Sequence, residues 1–283
     1  MKAVCDRLAM SRQNYYKRRQ HRQRQHLQQD KVLDFVIQER SVQPKLGGRK
    51  LLGMMREDPA MEAVELGRDR FFKLLKENDL LVEYEPVSKR TTQSYHTLPV
   101  FTNRFKAGVE ISGPNQAWLS DLTYIRLLHG FAFLFLISDK FSRKIIGYHL
   151  SQSMETADAL AALEMAVDQL PPRQHPIHHS DRGCQYCSHQ YIDRILAEGI
   201  EVSMTEENHC YENAQAERLN GILKQEYGLG GKIPTLAQAQ LLVDQAVYLY
   251  NHRRPHWSLD LKCPTQVHDR AAPRGADPLP SLN

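Results

Sequence analysis

AWLSDLTYIRL (117–127), FAFLFLIS (131–138) and RKIIGYHLS (143–151) are the stretches whose reading decides the fold. Each is rich in β-branched and aromatic residues and bounded by turn formers, so the three read as consecutive strands. Gly130 lies in the first turn, and Asp139-Lys140-Phe141-Ser142 forms the second. Connections this short join antiparallel neighbours. The longest strongly apolar run, FAFLFLI (131–137), suits a buried strand and is far too short to cross a bilayer. No membrane partner is expected.

Working towards the C-terminus, a helix is expected over about 155–169, with Ala159, Leu160, Leu163, Ala166 and Val167 inward and Pro171-Pro172 as its stop. IHHS (177–180) is a short strand that runs into Asp181. Ser188 caps a helix ending before Gly199. GIEVSM (199–204) is a further strand, and helices follow at about 212–227 and 236–250. Three antiparallel strands, then helix, strand, helix, strand, helix, predict an α/β fold with a mixed sheet. That is the order of a ribonuclease-H-like core.

Towards the N-terminus the pattern is helical. Residues 1–20 read as two very short helices, the first carrying Val4 and Leu8, the second capped by Ser11. A Gln-, Arg- and His-rich run leads into a helix with Val32, Phe35 and Val36 inward. A second pair spans 46–80: Leu51, Leu52 and Met55 before a break at Asp58-Pro59, and Phe71, Leu74 and Leu75 after it. Arg68, Arg70, Lys73 and Lys76 lie on the outer side of that last helix, which suits contact with DNA in the manner of a helix-turn-helix module. The same residues would also suit an ordinary solvated face. The domains expected are a helical DNA-binding region (1–81), a Ser-, Thr-, Pro- and Gly-containing linker (82–114), the catalytic core (115–228), and a C-terminal helical segment and tail (229–283).

Charge divides the same way. Residues 1–100 hold 20 Lys and Arg against 13 Asp and Glu, and the rest hold 17 against 20. A basic front part points to an anionic partner. The five cysteines (5, 184, 187, 210 and 263) are odd in number and scattered, which fits a reducing cytoplasm better than a disulfide framework. Cys184 and Cys187 with His178, His179, His189 and His209 invite a zinc reading. Adjacent His209-Cys210 is poor spacing for a second ligand pair, and inert cysteines are expected.

Phosphodiester chemistry needs an activated attacking oxygen and an offset for charge on the leaving oxygen, and two divalent ions supply both. Hard cations take carboxylate oxygens. Asp121 lies mid-strand among Trp118, Leu119, Leu122 and Tyr124, where an acid is costly unless paired or ligating. Asp181 follows a strand end, and Glu217 sits in a helix. Each acid alone is unremarkable, but strand, strand end and helix together make a candidate cluster.

Asp181 and Glu217 are separated by 35 residues, within HSDRGCQY (179–186) and ENAQAERLNGILKQE (212–226). With WLSDLTYI (118–125), DKFSRKIIGYHL (139–150) and YNHRRPHWSL (250–259), these words resemble the retroviral-integrase-like transposases of bacterial insertion sequences. The closest resemblance is to the family numbered three, and to the product of its second reading frame. It extends over roughly residues 1–270, with Glu212 standing where the family more often has Asp. The resemblance implies a two-metal DDE mechanism with Asp121, Asp181 and Glu217 holding Mg²⁺ or Mn²⁺. It also implies DNA partners (element ends and target), a homo-oligomer of at least two chains on DNA, an upstream-frame product, and a bacterial cytoplasmic, nucleoid-associated setting. Lys224, two turns beyond Glu217, would hold a phosphate. Asn213 and Asn220 flank the same face. Arg253 and Arg254 either contact DNA or pin the C-terminal segment. A nuclease without strand joining and a non-enzymatic DNA-binding regulator are the competing expectations. The basic front part argues against the first, and three intact acids argue against the second.

Overall fold

A computed structural model describes residues 10–82, 98–206 and 213–271. The helix expected around Val4 and Leu8, Cys5, the word 207–212 and the tail after 271 lie outside the described residues. The chain divides into two compact units, Met1–Glu83 and Tyr84–Asn283.

In the first unit, α1 (Arg12–Val42) is one helix of 31 residues. The separate short helix expected at 11–20 is therefore corrected: Ser11 does cap it, accepting from the Asn14 amide at 3.2 Å, but nothing stops it at residue 20. The Gln- and Arg-rich run that follows has high helix propensity and no Gly or Pro. Helices α2 (Gly48–Glu57) and α3 (Arg68–Glu77) follow, separated by a 3-10 turn at Pro59–Met61. Val32 and Val36 of α1 pack with Leu51, Leu52, Phe71 and Leu75 in the core of this unit. The periodic apolar positions are what hold the three helices together.

The second unit is built on a five-stranded sheet of order β3-β2-β1-β4-β5. Its strands are β1 (Ala117–Arg126), β2 (Phe131–Asp139), β3 (Ile145–Ser151), β4 (Ile177–Ser180) and β5 (Glu201–Met204). β1 is antiparallel to β2 and parallel to β4. This is the mixed, ribonuclease-H-like arrangement that the element order predicts. Helices α4 (Thr156–Val167) and α6 (His189–Ala197) cover one face, with a single turn α5 (Cys184–Cys187) before α6. Helices α7 (Ala214–Glu226) and α8 (Leu236–His252) cover the other, and α9 (Pro264–Ala271) follows.

β2 is a continuous apolar run because both its faces are buried. Leu134 and Leu136 pack with Leu219, Leu223, Val243 and Val247, whereas Phe135 and Ile137 pack with Leu163, Tyr191 and Ile195. Gly147 lets α4 approach β3 closely, since a Cβ there would stand 2.2 Å from the Ala162 carbonyl oxygen. Residues 98–105 pack against the sheet, with Leu98 and Phe101 on its α4–α6 face. The Asn103 and Arg104 amides donate to Glu206 and Ser203, and the Phe105 ring meets His179 edge-on.

Candidate metal-dependent DNA-processing site

Strand alternation assigns each side chain to a face. Trp118 packs towards α4 and α6, while Ile125 packs towards α7 and α8. Asp121 shares parity with Ile125 and so faces α7. It is 2 % exposed, and its Oδ2 accepts from the Asn220 side-chain amide at 2.6 Å. Asn220 belongs to α7, one turn beyond Glu217.

The parallel pairing of β1 with β4 brings in the second acid. Ala117 pairs with Ile177, Trp118 with His178 and Leu119 with His179. Asp181 directly follows Ser180, the last residue of β4, the strand paired with the one that carries Asp121. Asp181 is half-buried, and its Oδ1 accepts from the Gly183 amide at 3.0 Å. Glu217, also half-buried, lies four residues after Asn213 and three before Asn220, so the three share one helix face. Asn213 donates to the Ser120 carbonyl at 3.0 Å. The two asparagines thus tie the Glu217 face of α7 to consecutive residues of β1.

Both asparagines are buried, and both keep a side-chain oxygen without a hydrogen-bond partner. The sequence reading set both beside the Glu217 face, and the structure adds that each bonds to β1 from a buried position. The signal that would have promoted them is their spacing of seven, two helical turns, which puts both on the strand-facing side with Glu217 between. Lys224 continues that face and is half-buried.

A second polar cluster lies on the other face of the same strands. Ser120 Oγ is 2.6 Å from His178 Nε2, and the Tyr191 hydroxyl reaches the same nitrogen at 3.0 Å. Burial, and to a lesser degree the neighbouring His179, pushes the His178 imidazole down to about 3. This link joins β1, β4 and α6 directly behind Asp121 and was not anticipated.

The remaining candidates scatter. Arg68, Arg70, Lys73 and Lys76 are exposed on α3, where Arg68 pairs with Asp69 and Lys73 with Glu77. Arg253 is exposed at the end of α8. Arg254 is 2 % exposed and grips both oxygens of Glu226 at 2.8 Å, the pinning alternative rather than a DNA contact. Cys187 is buried, with its thiol pushed up to about 11 by desolvation first, and it contacts the Met204 sulfur at 3.7 Å. Among the described residues no three His, Cys, Asp or Glu side chains are gathered closely enough to cage a metal ion. Nor is any described helix long and apolar enough to cross a membrane.

The integrase core domain family matches residues 112–210, and a second integrase core domain family matches 198–264. A 31 kDa protein of insertion element IS600 from Shigella sonnei is 30 % identical over 272 residues, 94 % of this chain and 98 % of that protein. The chain belongs to the integrase-core transposases of bacterial insertion sequences. Transposase InsF of insertion sequence IS3A from Escherichia coli K12 is 37 % identical over 144 residues, 51 % of this chain and 49 % of that one. The alignment with this transposase therefore spans about half its length. The catalytic core of human T-lymphotropic virus 2 integrase, solved with magnesium, superposes with a TM-score of 0.45 at 19 % identity, over 55 % of this chain and 97 % of that chain.

Proposed function

We propose that this transposase cuts and joins the DNA of an insertion sequence in a divalent-metal-dependent reaction, with Asp121, Asp181 and Glu217 as the metal-binding acids. The observation that carries the assignment is the Asn220 bond to Asp121. It supports the reading by tying the Glu217-bearing face of α7 to Asp121 of β1, the strand that pairs with β4, just ahead of Asp181.

The donor chemistry suits Mg²⁺ or Mn²⁺, and gathering the three acids around an ion would require them to draw closer than they stand in this structure. All three acids offer hard oxygen atoms, and the open side-chain oxygens of Asn213 and Asn220 add polar capacity on the same face. When bound, such ions activate the attacking oxygen and offset charge on the leaving one. The chain's own residues do the rest. Burial keeps Asp121 away from bulk water, and Asn220 holds its carboxylate in one orientation. Lys224, on the same face of α7, suits a DNA phosphate. Residues 1–81 suit recognition of the element ends, with Arg68, Arg70, Lys73 and Lys76 available to phosphates. Arg253, exposed at the end of α8, suits the same role, and residues 229–271 brace the core. Two chains on the DNA would serve two ends, alone or with an upstream-frame product.

Incubation with Mg²⁺ and the terminal DNA of its own element, resolving nicked from joined products, tests this. Asp181→Asn should abolish cleavage and leave end binding largely intact. Cleavage at the wild-type rate in that variant would overturn the assignment, and nicking without joining would overturn strand transfer.

A further inference from the structure

A cavity of about 490 Å³ opens in the second unit between the β2–β3 turn, the first turn of α7 and the segment that follows α8. Lys140 and Arg143 line it from the turn, Gln215 from α7, and Asp260 and Lys262 from the segment beyond α8. None of Asp121, Asp181 and Glu217 lines it, and the metal chemistry makes no use of its cations.

Three cations against one carboxylate leave an excess of positive charge in this wall. Among the described residues none of the three pairs with an acid. The Lys140 ammonium stands 4.7 Å from the centroid of the Phe105 ring. Asp139, near Arg143, has both oxygens engaged: Oδ1 by the Ser142 amide and hydroxyl, Oδ2 by the Asn115 amide. The Arg143 Nε is buried and meets no acceptor. Burial, and next the charge of Arg143, holds the Lys140 ammonium below its ordinary range. Burial acts on Arg143 in the same direction, with Tyr250 and Asp139 acting the other way. Like charges in one partly desolvated wall are relieved by an anion. Arg143 also sits at φ 67°, a left-handed backbone that glycine or asparagine adopts at less cost. Such an outlier in a cavity wall points to a use for the side chain.

The rest of the wall is largely apolar, with Val109, Ile111, Phe141 and Leu259. A bare oxyanion would leave that wall and most of the volume unused, since cavities of about 300–1,000 Å³ hold whole small molecules. A nucleotide matches both parts. Its phosphate offers oxygens to a guanidinium and two ammoniums, and its base offers a flat apolar body. A peptide carboxylate brings one negative charge where a terminal phosphate brings nearly two.

We propose that Lys140, Arg143 and Lys262 form a nucleotide-phosphate site separate from the three acids, with the base on the wall of Val109, Ile111 and Leu259. The proposal goes beyond the transposase reading and does not depend on it. Gln215 donates to the Lys140 carbonyl at 3.2 Å, so the site is tied to α7 two residues ahead of Glu217. A free mononucleotide and the phosphorylated end of a DNA strand offer the same chemistry.

Calorimetric titration of the full chain without divalent ions tests the site, with deoxyadenosine monophosphate, deoxyadenosine and inorganic phosphate as probes. The monophosphate should bind, inorganic phosphate more weakly, and deoxyadenosine not at all. Arg143→Asn suits the left-handed backbone, and Lys262 is exposed, so Arg143→Asn and Lys262→Gln remove charge without straining the fold. Unchanged melting temperatures check this. Each should weaken the monophosphate by about tenfold or more, and Asp181→Asn should bind it as the wild type does. If the monophosphate fails, a short 5′-phosphorylated single strand takes its place. Tighter binding than the same strand without the phosphate, lost in Arg143→Asn, makes a strand end the ligand. Deoxyadenosine binding as tightly as the monophosphate would overturn the phosphate site. Inorganic phosphate binding as tightly would overturn the nucleotide. Wild-type affinity in both charge variants, or a loss in Asp181→Asn, would overturn the placement and leave the transposase reading standing. Binding by neither phosphorylated probe would overturn the proposal outright.

Discussion

Asn220 is the residue on which the geometry of the candidate site turns. Its amide donates to Asp121 Oδ2 at 2.6 Å from within a buried setting. A hydrogen bond to a carboxylate fixes the orientation in which its free lone pairs are presented. Asn220→Ala should lower cleavage by about 10- to 100-fold and raise the Mg²⁺ needed for half-maximal rate, with end binding unchanged. Wild-type Mg²⁺ dependence would remove the residue from the site. His178 gives a prediction of a different kind. Its folded value, about 3, lies below the ordinary 6.5 because burial disfavours the charged ring. Below about 6.5 the unfolded chain therefore binds a proton that the native chain does not. This contribution to stability is complete above 6.5 and is lost as pH falls towards 3, with a slope of up to about 1.4 kcal/mol per pH unit. Melting temperatures across that window should fall more steeply for the wild type than for His178→Gln. Parallel curves would show that the ring is not held neutral. None of this was legible from residue identity, because a histidine in a short strand word reads the same whether it is buried or solvated.

At the scale of elements, local rules carried most of the fold. Ser188 caps α6 as its position before a periodic helix implies, accepting from the Tyr191 amide at 3.3 Å. β4 ends at Ser180 and Asp181 follows it. The merged α1 is the exception, since a Ser cap marks where a helix starts and says nothing about where it stops. The C-terminal elements add what the sequence left open. Arg254, just beyond α8, forms a buried two-pronged pair with Glu226, the last residue of α7. It therefore anchors the helix that carries Glu217. Removing one partner leaves a buried charge uncompensated, at a cost of about 3–5 kcal/mol. Arg254→Leu should shift the urea midpoint accordingly, and adding Glu226→Leu should recover most of the loss. Equal destabilisation in the single and double variants would mean that packing, not the pair, sets the cost. At the C-terminal end, Ser142 Oγ donates to Asp139 at 2.7 Å and sits 2.9 Å from His268. This Ser, His and Asp grouping holds α9 to the β2–β3 turn. Its serine is fully buried and bonded to the acid itself, so it is a clasp and not a nucleophile.

At the scale of the whole molecule, one chain carries one set of the three acids, and joining involves two element ends. The complex on paired ends should contain at least two chains by solution mass measurement. A one-chain complex that still joins paired ends would sink that expectation. The sequence by itself determined the order and nearly the bounds of the strands and helices from 117 to 252. Period, caps and turn residues act over a few neighbours, and all of them agree here. It also determined which residue types were available for the chemistry, through the words around Asp121, Asp181 and Glu217. Only the tertiary structure decided that β1, which carries Asp121, pairs with β4, which Asp181 follows, that two asparagines tie the Glu217 face to β1, and that Arg254 is buried while Arg253 is not. Those outcomes depend on pairing and packing between residues tens of positions apart. Such contacts are set by how whole elements cover one another, and no local pattern in the chain encodes them.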